Sequence, residues 1–143
     1  MGGALNQIVS AEVQEFRAKV LKLQDVMLKV AEVEQFPEPP IEHHFAPSMY
    51  AREMFMPQGS VIIGRIHKHS HINVISKGIV EIAADGVATR YEAPITFVNN
   101  PMAKRVLHAI TDVIMTTIHA TELTDPEEIL NEITLDSYDG DTK

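Results

Sequence analysis

The sequence predicts a mainly β fold: one antiparallel sandwich or barrel, preceded by a long helix and followed by a short one. Three observations predict it. Residues 8–35 contain no Gly or Pro and repeat apolar side chains in alternating steps of four and three. From about Tyr50 to Thr121, short β-rich runs are separated by turn signals at intervals of about 8 to 12 residues. The stretch "TDPEEILNEI" then carries the start signals of a helix. With 143 residues, 45% of them hydrophobic, the chain can build one core of ordinary size.

The helical arm occupies residues 1–36. Val9, Val13, Phe16, Val20, Leu23, Met27 and Val30 form a heptad stripe of about three repeats, and Val26 and Val33 widen it. Ser10 can cap its start, and Glu15, Lys19 and Lys22 fill other faces. At about 1.5 Å per residue the helix reaches roughly 40 Å, longer than the flank of a small barrel. The row Val13, Phe16, Val20, Leu23, Met27 and Val30 is therefore expected either to lie on its own domain or to form an oligomer seam. Residues 37–49 open with "FPEPP", where Pro37, Pro39 and Pro40 end the helix, and read as a linker with His43 and His44 as loop residues.

Residues 50–123 hold the runs "YAREMFM", "SVIIGRIH", "INVIS", "IVEIAA", "VATRY", "ITFV", "KRVLHAI" and "VIMTTIHAT". Between them "PQG", "SKG", "ADG", "EAP", "NNP" and "TD" mark turns. Residues 124–143 begin with Asp125 as N-cap, Pro126 at the first helical position and Glu128 three after the cap, and end in the acidic "DSYDGDTK".

Composition narrows the function classes. Twelve basic against twenty acidic side chains leave a net charge of -8, which argues against nucleic acid and anionic membrane as partners. Zero cysteines exclude disulfides, thiolate metal sites and thiol nucleophiles. The N-terminal stretch reads as no signal peptide, and no apolar run reaches the roughly 20 residues of a membrane span. There is no Gly-x-Ser-x-Gly elbow, Walker loop or dinucleotide-binding glycine turn.

The chemistry concentrates in "GRIHKHSHINV", residues 64–74, where His67, His69 and His71 occupy alternate positions. In a regular strand they share a face with Val61, Ile63 and Arg65, while Ile62, Ile66 and Ile72 face the other way. A His-x-His pair can chelate one ion, with a further ligand from a distant strand. His108 and His119 are the donors to hand.

These residues resemble the first motif of the cupin superfamily of jelly-roll barrels: Gly, five residues, His-x-His, three or four residues, Glu, six residues, Gly. Gly59, Arg65, His67, His71 and Gly78 match its spacing, with Arg65 in place of the first His and His71 in place of the Glu. The second motif, Gly, five residues, Pro-x-Gly, two residues, His, three residues, Asn, is matched loosely from Pro94 through Asn100 and Met102 to Arg105 and Ala109. Arg105 then stands in the ligand position, or Val106 one register later.

The resemblance implies a cupin-type jelly roll over residues 50–121 whose ligand set has decayed and which holds no cofactor. The alternative it leaves open is a divalent metal on His67 and His71, with His69 or His108 as third ligand. Arg65 and Arg105, facing inward as their counterparts do, would bind a carboxylate or phosphate, or be neutralised by Glu81 or Glu92. From about Phe36 to Asp125 the chain is also similar to small cupin-like proteins of tailed bacteriophages. That likeness implies a non-enzymatic virion or assembly subunit, located in the virion or host cytoplasm, that forms homo-oligomers and meets other virion proteins. The alternative is a metal-dependent cupin enzyme, an oxygenase or isomerase, acting on a small polar substrate.

Overall fold

In the computed structural model the described residues are 10–34 and 39–135, with the backbone alone described from 24 to 34. Helix α1 (Ala11–Glu34) starts at Ser10, whose hydroxyl oxygen accepts the Val13 N–H at 3.2 Å. The beginning of its apolar stripe is used within the chain. Val13 and Phe16 are half-buried and Val20 is buried, whereas Leu23 is 43% exposed. Arg17 fastens this part of the helix by donating two parallel hydrogen bonds to the Asp85 carboxylate, at 2.7 and 2.8 Å. A planar fork on a carboxylate is the strong form of ion pair. Met27 and Val30 lie outside the described side chains.

The strands are β1 (Ile41–Ala46), β2 (Met49–Met56), β3 (Val61–Ile63), β4 (Ile66–His67) and β5 (Ile72–Lys77). They continue with β6 (Ile79–Ala84), β7 (Val87–Glu92), β8 (Ile95–Val98), β9 (Arg105–Ala109) and β10 (Val113–Ala120). Helix α2 (Pro126–Ile133) and β11 (Thr134–Leu135) follow. One sheet has the order β1-β2-β10-β5-β8, a second the order β3-β9-β6-β7, and β4 pairs with β11. Pairing is antiparallel throughout, and the chain crosses repeatedly between the sheets, which is the jelly-roll arrangement.

Alternation decides what fills the space between the sheets. Strand β10 buries Val113, Met115, Thr117 and His119, and β9 buries Arg105, Leu107 and Ala109. Met56, Ile75, Val80, Leu107, Val113 and Met115 form the apolar end of this interior. The polar residues of the same faces gather at the other end.

Two turns hold the register. Asp85 and Gly86, both at positive φ (50° and 89°), join Ala84 to Val87 as a two-residue hairpin loop, the conformation that an Asp-Gly pair favours. Gly78 sits at φ +90° between β5 and β6, where a Cβ would collide with the Asp112 carbonyl.

The expected strands 50–123 are present, with two corrections. Residues 41–46, expected within a linker, form edge strand β1 on β2, so His43 and His44 are strand residues. Its sequence IEHHFA has no alternation because an edge strand exposed along nearly its whole length has no buried face to encode. The run "SVIIGRIH" is broken at Gly64 and Arg65 into β3 and β4. The short C-terminal helix forms as expected: Asp125 accepts the Glu128 N–H at 3.1 Å, Pro126 opens the helix, and Ile129 and Ile133 are buried against Tyr50. The acidic tail lies outside the described residues. Among the described residues, no helix is long and apolar enough to cross a membrane.

Candidate metal centre

Three imidazoles from three places in the chain meet at the polar end of the barrel: His67, His71 and His119. His67 ends β4, and its backbone is held on two sides. Thr134 of β11 is its ladder partner, and its carbonyl accepts the Met102 N–H at 2.7 Å. His71 is clamped by Asn99, whose side-chain oxygen accepts the His71 N–H at 2.8 Å. His119 lies on β10, between β2 and β5, and its Nε2 shares a hydrogen bond of 3.1 Å with the Thr117 hydroxyl. Of these contacts the one to Thr117 acts on a ring, and the others fix the backbone from which His67 and His71 project.

The ring centroids are 4.3 Å apart for His67 and His71, 4.5 Å for His71 and His119, and 5.4 Å for His67 and His119. One nitrogen of each ring lies within 4.8 Å of the others. A shared ion at roughly 2.1 Å from each would draw them to about 3.4 Å, a change that ring torsion supplies. His71 and His119 are 5% and 7% exposed. Nδ1 of His67 and both ring nitrogens of His71 are buried without a hydrogen-bond partner. Leaving a buried polar atom unpaired costs about 1–3 kcal/mol, so these atoms point to a ligand.

Electrostatics keep the lone pairs available. Burial pushes the His67 imidazole down to about 2, with His71, Arg105, His119 and Arg52 adding to the effect. Burial, then His119 and Arg105, push His71 to about 3. Burial, then Arg52 and Arg105, push His119 to about 4. All three are neutral at pH 7, the form that binds metal. An all-imidazole donor set fits zinc, copper, iron or nickel.

The other expected site residues fall elsewhere. His69 is exposed. His108 is exposed because β9 alternates and turns Arg105, Leu107 and Ala109 inward. The third imidazole of the cluster is thus His119, one of the two distant donors the sequence offers, and neither His69 nor His108. Arg105 faces inward as expected. Arg65 also lines the interior cavity, but its Nε donates to the Thr134 hydroxyl at 2.7 Å, tying it to the chain's C-terminal segment. Glu81 pairs with Arg90 at 3.2 Å and Glu92 is exposed, so the expected neutralisation of the inner arginines by these two carboxylates is not what Glu81 does. Arg52 was not anticipated: it lines the cavity and acts on His67 and His119. His44 bonds Glu53 at 2.8 Å on the outer face, with Glu42 nearby, and forms an ordinary surface ion pair. His43 shares a 2.6 Å hydrogen bond with the buried Tyr50, whose ring stacks between His43 and His119.

The cavity beside the imidazoles has a volume of about 420 Å³. Its lining includes the polar His67, His119, Arg52 and Arg105 and the apolar Leu107, Met115, Ile129 and Ile133, so α2 contributes to its wall.

No family model matches the chain, and no curated protein matches it in sequence. Solved structures match it in fold. A salicylate 1,2-dioxygenase from Pseudoaminobacter salicylatoxidans is similar at a TM-score of 0.54 and 16% identity, over 82% of this chain and 33% of that one. KdgF from Halomonas sp. aligns at 0.50 and 17% identity, over 66% and 90% of the two chains. The cupin domain of Cnp3 from Schizosaccharomyces pombe aligns at 0.50 and 20% identity, over 64% and 69%. The fold is therefore the cupin-type jelly roll, flanked by a helix at each end.

Proposed function

We propose that the chain is a metal-dependent barrel protein that acts on a small molecule, an enzyme of the oxygenase or isomerase type. His67, His71 and His119 would hold one divalent transition-metal ion. The observation that carries this reading is the meeting of one half-buried and two buried imidazoles, one nitrogen of each lying within 4.8 Å of the others, with ring nitrogens of His67 and His71 left without partners. When bound, such an ion supplies Lewis acidity and open coordination positions for a substrate oxygen. The chain's own residues do the rest. Asn99 holds the His71 backbone, and Thr117 bonds the His119 ring. The apolar walls and α2 limit water at the site, and Arg52 and Arg105 set a positive field in the cavity.

That field opposes the metal but does not exclude it. Charges of +1 and +2 roughly 7 Å apart repel by about 5 kcal/mol at an effective dielectric of 20, and an anion between them removes the penalty. Elemental analysis of protein purified without a histidine tag tests the proposal. We expect stoichiometric metal, lost in the His67→Ala, His71→Ala double variant; absence of metal after reconstitution would refute it.

A second reading is a structural or assembly subunit of a tailed phage that oligomerises through α1 and the barrel edges. It is supported by Leu23, exposed on the heptad row, and by Phe45 and Met49, exposed on β1 and β2 at one edge of the larger sheet. Light scattering on the wild type and on Leu23→Asp tests it, since a strict monomer at micromolar concentration contradicts it.

A further inference from the structure

The cavity carries one charge that the chain leaves without a counter-ion. Arg105 is 7% exposed, and its Nη1 is buried without a hydrogen-bond partner. Burial pushes its guanidinium down, and the Tyr91 phenol is the one group whose charge supports it. No carboxylate among the described residues does so. A buried guanidinium missing its anion is among the most costly features a fold can keep, unless something that binds there supplies the anion. Among the described residues that line the cavity, Glu127 is the one carboxylate.

We infer that Arg105 is the anion-binding residue of this cavity and that its ligand is a small carboxylate with an apolar body. Carboxylate is favoured over phosphate by the donors present. Phosphate sites draw on clusters of backbone N–H groups, above all at helix starts. Here the start of α2 is a poor anion site, because Pro126 has no N–H and the Asp125 carboxylate already takes that of Glu128. One guanidinium edge fits the two oxygens of a carboxylate. The apolar body follows from the apolar part of the lining, Leu107, Met115, Ile129 and Ile133, and a volume of about 420 Å³ falls in the range of small-molecule sites. The inference concerns the same cavity as the proposed metal centre but does not require the metal.

The test uses metal-free full-length protein and four probes: benzoate and hexanoate, with the uncharged benzamide and hexanamide as shape controls. At least one of the two acids should raise the melting temperature in a dose-dependent way, by the linkage between ligand concentration and stability, while its amide does not. Arg105→Gln should weaken that binding roughly ten- to a hundredfold, the scale of one charge-assisted bond. It should also raise the melting temperature of the ligand-free protein, because it removes an unpaired buried charge; a purely structural arginine would give the opposite. Arg105→Lys, which keeps the charge and loses the fork, should bind with intermediate strength and guards against a folding failure in the first variant. Stabilisation by neither acid, equal effects of acid and amide, or unchanged binding by Arg105→Gln would overturn the assignment. Inorganic phosphate acting as strongly as the acids would overturn the ligand class. Metal content, measured separately, leaves each of these results interpretable.

Discussion

Lowering the pH from 7.5 to 5.5 will remove about 3 kcal/mol of stability from the metal-free protein through three imidazoles alone. An unfolded histidine titrates near 6.5, whereas burial and the neighbouring arginines push His67 to about 2, His71 to about 3 and His119 to about 4. The folded values lie below the unfolded one, so the fold favours the neutral ring. Its contribution is complete above pH 6.5 and is lost as pH falls below that value toward the folded values. At pH 5.5 each unfolded ring gains about 1.4 kcal/mol by protonation that the folded ring does not, or roughly 4 kcal/mol for three. Residual contact with water trims the sum to about 3 kcal/mol, a large part of the roughly 5–15 kcal/mol that holds a domain together. Urea unfolding of chelator-treated protein reads this directly, and the midpoint should fall by roughly 1–3 M between the two pH values. His119→Gln carries no titrating ring at that position and should lose about a third less. A midpoint that does not move, or a variant that falls as far as the wild type, would refute the reasoning.

Other perturbations have defined outcomes. Gly78→Ala meets both the positive φ and the Asp112 carbonyl, and should cost about 2 kcal/mol or more by thermal denaturation. Asn99→Ala removes the acceptor of the His71 backbone N–H and should cost about 1–3 kcal/mol by thermal denaturation. Arg17→Ala breaks the two-bond contact between α1 and the β6–β7 turn; limited proteolysis should then cut within α1 sooner, while the barrel loses only about 1 kcal/mol.

Much of this arrangement is legible in the residues, for physical reasons that also explain what is not. Strands with one buried face betray themselves by alternation, as β9 and β10 do, and the Asp85-Gly86 and Asp125-Pro126 pairs state their turn and cap chemistry locally. Edge strand β1 has no buried face, and the prolines before it suggested a linker, so only its backbone pairing with β2 identifies it. The inward position of Arg105 follows from the β9 alternation. The pairing of His119 with His67 and His71 does not, because it depends on how β10 lies beside β5 in the sheet, a contact between segments far apart in sequence. Spacing against a family motif directed attention to β9, where the ligand position holds an arginine. The third imidazole comes instead from the following strand. The heptad stripe of α1 was open between two uses, and Val20 with Arg17 shows its first half engaged within the chain.

In the proposed metal centre His119, and not His69 or His108, is the third imidazole. Calorimetric titration of the tag-free protein with zinc tests it most directly. One equivalent should bind the wild type, His69→Ala and His108→Ala with the same affinity, and His119→Ala should bind at least a hundredfold more weakly. Equal affinity in His119→Ala and the wild type would contradict the account.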